Sequence, residues 1–289
     1  MTIKARAKIN TVLEILHKRA DGYHEIRTVM QSLKLCDTIN IKKTSICPFL
    51  LETNDKNLQV SGQNIIEKTA GYLIETYKID TGIHIYLDKK IPITAGLGGG
   101  SADCAATIIG INKLFGLQLS KQELLHIGRI FGADVPFCLT GGTVYACGAG
   151  EKLTELPPHP KAYVLLTGLG GKTSTKEIYN LYDSYKEGEK NNKQNHTQPM
   201  ISAIKSQDIG DVANSLYNAF LPVMAAINPD VPYVINTMKE MGAMGASMTG
   251  AGPSVFGFFN ERDKAKRCKK KLASLYPQTT GLFLTEIYN

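Results

Sequence analysis

The stretch Pro92-Ile93-Thr94-Ala95-Gly96-Leu97-Gly98-Gly99-Gly100-Ser101-Ala102-Asp103 runs without a break into the apolar-periodic segment Cys104 to Phe115. Ahead of it, Gly82 to Leu87 alternates in the manner of a strand, so the order is strand, glycine-rich loop, helix start. Glycines let backbone amides approach an anion with no Cβ in the way. The unpaired N–H groups and positive dipole end of the following helix then stabilise its negative charge. Such an order builds a polyphosphate site. No Gly-Lys-Ser/Thr closes the stretch, so it is not a Walker A loop, and its spacing and flanks are not those of a dinucleotide fingerprint. A linker or tight turn is the competing reading, but linkers seldom carry a framing proline and an immediate helix start.

Working outward, strand-like runs cover Lys4 to Leu16, Ile26 to Lys42 and Ile83 to Leu87, and helical periodicity covers Asn64 to Tyr77, Ala102 to Phe115 and Lys121 to Ile130. Ser120 with Glu123 has the spacing of a capping box. A β-rich beginning followed by helices predicts an α+β first domain. Pro157-Pro158-His159-Pro160 breaks any regular element, and the domain boundary is placed there, giving domains 1–156 and 157–289. Past it, Ala162 to Thr167 reads as a strand. Asp183 to Pro199 lacks the apolar content for a core and is expected to be a mobile surface insertion. Helices are expected around Met200 to Lys205, Asp208 to Val223 and Pro229 to Met241. The turn Gly250-Ala251-Gly252-Pro253, the strand Ser254 to Phe259, a helix Arg262 to Tyr276 and a last strand Gly281 to Ile287 complete the second domain.

With 289 residues, 43% hydrophobic and 20% charged, the chain has enough material for two modest cores. Its formal net charge of +7 suits an anionic ligand. The Lys and Arg residues are scattered, however, and the densest run, Lys264 to Lys271, reads as the wet face of a late helix, so nucleic acid is not an expected partner. The six cysteines form no CxxC pair and have no His partner at ligand spacing, which fits reduced thiols in a cytoplasmic protein. No apolar run is long enough for a membrane span, and no membrane partner is expected.

Three blocks, Ala7-Lys8-Ile9-Asn10, Gly96 to Ser101 and Ser247-Met248-Thr249-Gly250-Ala251-Gly252-Pro253-Ser254, together resemble the GHMP kinase superfamily of small-molecule kinases. Arg19-Ala20-Asp21-Gly22-Tyr23-His24-Glu25-Ile26 and Gly132-Ala133-Asp134-Val135-Pro136-Phe137, followed by Gly141-Gly142, narrow the likeness to the members that act on a cytidine-diphosphate-linked methylerythritol. The resemblance implies an α+β, two-domain GHMP kinase fold, with an N-terminal domain like ribosomal protein S5 domain 2, including a left-handed crossover, and a ferredoxin-like C-terminal domain. It implies ATP-dependent phosphorylation of a substrate hydroxyl. Mg²⁺ is expected as the phosphate counter-ion, and the protein is expected to be a monomer or homodimer.

The resemblance also assigns roles. Asp134 is the general base, which accepts the hydroxyl proton as the alcohol attacks. Lys8 keeps that carboxylate ionised and stabilises charge growing on the attacking oxygen. Asn10 hydrogen-bonds the acceptor end of the substrate. Tyr23 offers a ring for cytosine, His24 hydrogen-bonds the pyrimidine edge, and Tyr179 closes the other side. Pro92, Gly96, Leu97, Gly98, Gly99, Gly100, Ser101 and Ala102 form the phosphate loop, and Asn64 and Lys89 contact the purine end. Taken by themselves, Asn64 would be a helix cap, Lys89 and Lys8 solvated surface, Asp134 a turn residue and Tyr179 core.

The match departs from the family pattern in the second half. The loop Thr167-Gly168-Leu169-Gly170-Gly171-Lys172-Thr173-Ser174-Thr175 lacks the Lys-Pro pair common before its Ser-Thr, and Asn214-Ser215-Leu216-Tyr217 lacks a frequent acid. Homoserine and diphosphomevalonate kinases are the rival family readings, which share the phosphate loop and the third block but not Gly22-Tyr23-His24.

Overall fold

The computed structural model describes all residues except 46–47, 57, 59–63, 94–95, 171–173, 187–194 and 278–280. The chain groups into two compact units that interleave along the sequence: residues 1–7, 35–93 and 98–141 form the first, and residues 8–34, 94–97 and 142–289 the second. Strands β1 (Thr2–Lys18) and β2 (His24–Thr44) are long enough to contribute to both.

In the first unit, β2 continues into pairings that place a one-sided sheet over helices. After β3 (Phe49–Thr53) come α1 (Ile65–Thr76), β4 (Gly82–Asp88), α2 (Gly99–Phe115), α3 (Lys121–Phe131) and α4 (Val135–Thr140). β4 pairs antiparallel with β2, from Thr38 opposite Asp88 to Thr44 opposite Gly82, and parallel with β3. Ile83, Ile85 and Leu87 of β4 are buried while His84 and Tyr86 are not, the period of two that packs one face of a sheet. That face meets Ile66, Ala70 and Leu73 of α1 and Cys104, Ala105, Ile108 and Ile111 of α2. Ser120 caps α3 in a reciprocal pair with Glu123, as its spacing predicts.

The second unit adds β5 (Thr143–Gly148), β6 (Lys152–Glu155), β7 (Tyr163–Gly168), α5 (Thr175–Lys186), α6 (Thr197–Ser206), α7 (Ile209–Asn214), β8 (Tyr217–Asn218), α8 (Leu221–Ile227), α9 (Asp230–Glu240), β9 (Gly245–Met248), β10 (Ser254–Phe259), α10 (Arg262–Leu275) and β11 (Leu282–Glu286). β5 pairs antiparallel with β2 and β6, and β8 pairs parallel with β1. Strands β11-β7-β10-β9, in that order, make a separate four-stranded antiparallel sheet. Leu165 and Val255 of that sheet pack with Val234, Ile235 and Met238 of α9 and Ala265, Cys268 and Leu272 of α10 in the unit's core.

Three expectations are corrected. The helix foreseen over Asp208 to Val223 is divided into α7, β8 and α8, because Asn218 leaves helical geometry to donate to the carbonyls of Met248 and Gly250 and to accept from the Phe220 amide. α2 begins at Gly99 rather than Ala102, since the glycines themselves form its first turn. Of the polar stretch 183–199, Asp183 to Lys186 end α5 and Thr197 to Pro199 open α6, where buried Thr197 hydrogen-bonds the Glu14 carboxylate. Residues 187–194 of that stretch lie outside the described residues, as do Gly171, Lys172 and Thr173 of the loop that departs from the family pattern.

Candidate active site

The boundary between the two units falls inside the glycine-rich stretch, between Leu97 and Gly98. On its first-unit side, Gly98 is left-handed at φ 69° and ψ 18° and serves as the N-cap of α2, a conformation that glycine adopts without Cβ strain. Having no side chain, it leaves the first amides of α2 without a side-chain cap, which is the arrangement that suits an anion. Gly100 and Ser101 follow in the first turn, and Ala102 donates its amide back to the Gly98 carbonyl. An added Cβ on Gly132 would lie 4.0 Å from Ser101 Oγ, so the Gly132-Ala133-Asp134 turn sits beside the start of α2. Asp134 is half-buried and leads into α4 with no side-chain bond to that helix's amides. A carboxylate and a phosphate-type helix terminus are thus neighbours within one unit.

Against the first turn of α2, beside Gly99, lies a buried ion cluster. Lys89, at the end of β4, sends its ammonium to Asp37 Oδ2 and Asp103 Oδ2, each at 2.6 Å. The three side chains are 5%, 0% and 4% exposed, respectively. Burial opposes the Lys89 charge, but the two carboxylates outweigh it and raise its pKa. Burial pushes the Asp103 carboxyl up to about 7, against the pull of Lys89 and with a further upward push from Asp37. Asn64 is buried as the N-cap of α1, its Oδ1 accepting from the Ile66 amide and its own amide donating to Glu67. Pro92 is half-buried just after Ile91.

In the second unit, Lys8 and Asn10 project from β1. Lys8 is buried and donates to Asn10 Oδ1 at 2.9 Å, while Asn10 Nδ2 donates to Thr28 Oγ1 and the Asn10 amide to Thr249 Oγ1. The Lys8 amide donates to the Leu97 carbonyl. Gly96 is left-handed at φ 69°, and a Cβ there would lie 3.4 Å from the Thr249 carbonyl and 3.6 Å from that of Gly252. All three sequence blocks therefore meet around Asn10 and Gly96. Gly250 is left-handed as well, and its added Cβ would lie 3.7 Å from Asn10 Oδ1.

A second cluster in this unit gathers the aromatics. Asp21 Oδ1 accepts the Tyr23 amide, and Gly22, at φ 84°, turns the chain so that Tyr23 stands 67% exposed. His24 is buried, its ring stacked on Tyr179 with centroids 4.6 Å apart and planes 30° from parallel. Tyr179 in turn meets Phe220 edge-on. His24 Nε2 lies 2.7 Å from Asp183 Oδ1, and Lys18 donates to the other oxygen. Burial works against the Asp183 charge, but the bonds from Lys18 and His24 prevail and hold its carboxyl below the ordinary range.

The structure thus brings Lys8, Asn10, Gly96 and Leu97 together in one unit, with His24 against Tyr179 there too. It places Lys89, the start of α2 and Asp134 in the other. Sequence reasoning missed Thr28, Thr249, Asp37, Asp103 and Asp183. For the last, the one local signal is its place one helical turn after Tyr179, since its partners His24 and Lys18 lie far earlier in the chain. Among the described residues, no group of three or more His, Cys, Asp or Glu side chains could hold a metal ion, and no helix is long and apolar enough to cross a membrane.

The family model for the GHMP kinases N terminal domain matches residues 64–142, and that for the GHMP kinases C terminal domain matches residues 200–278. Among curated proteins, the 4-diphosphocytidyl-2-C-methyl-D-erythritol kinase of Caldicellulosiruptor saccharolyticus is 41% identical over 94% of this chain and 92% of its own length. The kinase of the same name from Alkaliphilus oremlandii is 38% identical over 99% of this chain and 96% of its own. Among solved structures, a crystal structure of 4-(cytidine 5'-diphospho)-2C-methyl-D-erythritol kinase matches with a TM-score of 0.84 and 26% identity, covering the whole of both chains. The L. major mevalonate kinase in complex with R-mevalonate, at 16% identity and a TM-score of 0.80 over 99% of this chain and 96% of that one, shares the fold. The chain belongs to the GHMP kinases, within the family of 4-diphosphocytidyl-2-C-methyl-D-erythritol kinases.

Proposed function

We propose that this chain transfers the γ-phosphoryl group of ATP to the 2-hydroxyl of 4-diphosphocytidyl-2-C-methyl-D-erythritol, a step of the non-mevalonate route to isoprenoid precursors. The observation that carries the reading is the adjacency of the Asp134 turn to the glycine-started helix α2, in a chain 41% identical to a kinase named for that substrate. In the proposed reaction the α2 amides and Gly96 to Ser101 hold the ATP phosphates. The substrate hydroxyl attacks the γ-phosphorus, its proton passes to the Asp134 carboxylate, the new O–P bond forms, and the bond to the β-phosphate oxygen breaks to release ADP. Lys8, steadied by Asn10, offsets charge on the attacking oxygen. Asn64 and Lys89 lie toward the purine end.

Tyr23 stacks on the cytosine and His24 addresses the pyrimidine edge. His24 is already fixed by Asp183 and by its stack on Tyr179, so it is preorganised for directional hydrogen bonding. Mg²⁺ arrives with the ATP phosphates rather than in a protein cage. The protein is cytoplasmic, a monomer or homodimer without nucleic-acid partners, with family domains over 1–156 and 157–289, inside which the matched stretches 64–142 and 200–278 fall.

The test is direct. Purified protein with ATP, Mg²⁺ and the cytidylated methylerythritol yields a product one phosphate heavier by mass, while homoserine and diphosphomevalonate are left unchanged. Turnover of either of those in place of the cytidine compound would overturn the substrate assignment.

A further inference from the structure

Asp37 has no place in the proposed chemistry, yet it is fully buried and accepts three hydrogen bonds from one short segment. Its Oδ1 takes the amides of Lys90 at 2.5 Å and Ile91 at 2.7 Å, and its Oδ2 takes the Lys89 ammonium at 2.6 Å. Three donors on one carboxylate pin the backbone amides of Lys90 and Ile91 and the Lys89 ammonium to the same group. The same ammonium reaches across to Asp103 in α2, so the segment that enters the glycine-rich stretch is tied to the helix that leaves it. At Gly99, an added Cβ would sit 3.1 Å from Lys89 Nζ and 3.0 Å from Ile91 Cγ2. The first turn of α2 therefore lies directly against the ammonium and the side chain that Asp37 holds. Removing one carboxylate partner of a buried ammonium is destabilising, because it leaves buried charge uncompensated.

We infer that Asp37, acting through Lys89 and the Lys90 and Ile91 amides, is a positioning residue for the nucleotide, with Asp103 as its counterpart on α2. The inference rests on the proposal that ATP binds at the start of α2. Asp37 touches no reacting atom. It sets where Lys89 and Ile91 press on Gly99 and hence where the α2 amides point. The purine-side lysine and the phosphate-side helix turn are thereby held as one piece before ATP arrives, and the effect of losing Asp37 falls on nucleotide binding rather than on the chemical step.

The experiment uses the full-length protein and its Asp37→Asn and Asp103→Asn variants. KM for ATP, KM for the cytidylated substrate and kcat are measured for each, and ATP binding without turnover is followed by calorimetry. Asp37→Asn is expected to raise KM and the dissociation constant for ATP by about tenfold or more, the scale of one lost hydrogen bond to a charged group. Its kcat and its KM for the cytidylated substrate are expected to stay within about twofold. Asp103→Asn moves the ATP constants in the same direction by less, because Lys89 keeps its Asp37 bond. Unchanged ATP constants in both variants, or losses spread evenly over both substrates and kcat, would overturn the inference. If Asp37→Asn fails to fold, Asp103→Asn decides alone by the same split. A wild-type protein that binds no ATP at all would instead sink the functional reading on which the inference stands.

Discussion

His159 makes the stability of this protein depend on pH through one identifiable side chain. It is 1% exposed, its Nδ1 lies 2.7 Å from the Pro160 carbonyl, its ring meets Phe258 edge-on, and its Nε2 is buried with no hydrogen-bond partner. Nδ1 therefore carries the proton it donates to the carbonyl, and a second proton on Nε2 would be an unsatisfied buried donor. Burial accordingly lowers its pKa from 6.5 to about 4, with the Pro160 bond pulling weakly the other way. A base whose folded pKa is depressed takes up its proton more readily in the unfolded chain, so stability is full above pH about 6.5 and is lost as pH falls toward 4. With those two values, linkage gives a loss of about 2 kcal/mol between pH 7.5 and pH 5. His159→Leu removes the titration. At pH 7.5 the variant is expected to be less stable by about 1 kcal/mol, for the lost Pro160 bond, and at pH 5 this deficit vanishes or reverses. Urea denaturation of both proteins at the two pH values, followed by circular dichroism, measures the difference, and every other titrating group cancels in the comparison. Two stability curves that stay parallel from pH 7.5 to pH 5 would refute the reasoning.

Asp134→Asn and Lys8→Ala are each expected to lower turnover by about 10² or more while the far-ultraviolet spectrum stays unchanged, the scale of a positioned acid–base group; near-normal turnover in both would remove them from the mechanism. Cytidine nucleotides should raise the melting temperature of the wild type and not of Tyr23→Ala, since base–aromatic stacking contributes about 1–3 kcal/mol; equal shifts in both proteins would dismiss the stacking role. Gly252→Ala combines a left-handed φ of 77° with a Cβ only 2.5 Å from Met248 Sδ, and is expected to cost about 2 kcal/mol or more. Gly22→Ala, with φ of 84° and nothing within 4 Å, pays only the backbone term of about 1 kcal/mol, so the difference in urea midpoint between the two variants isolates the clash.

Much of the layout follows from local patterns. The alternation of Ile83, Ile85 and Leu87 and the Ser120–Glu123 spacing are set by residues within one turn or one strand, and both are realised. Asn64 was also legible as a cap, because the Glu67 that completes its capping box stands three residues on. What escaped depends on distant partners. Tyr217 and Asn218 leave the helical pattern because β1 offers them Val12 and Leu13, and α4 is too short to show a period. The polarity of Asp183 suggested solvent, whereas His24 and Lys18, far earlier in the chain, draw it into a cluster. Likewise Asp37 reads as an ordinary strand residue until folding brings up Lys89, 52 positions later.

The interleaving of the two units bears on how the protein is made. Residues 8–34 emerge early from the ribosome, but Thr249, which receives the Asn10 amide, follows 239 residues behind. The first unit has its whole complement of chain by residue 141, while the second draws on residues up to the end of the sequence given. The segment carrying Lys8, Asn10 and His24 meets Thr249 and the α10 residues of its core only late in the chain, its apolar Leu13 and Ile26 lacking most of their partners in the meantime.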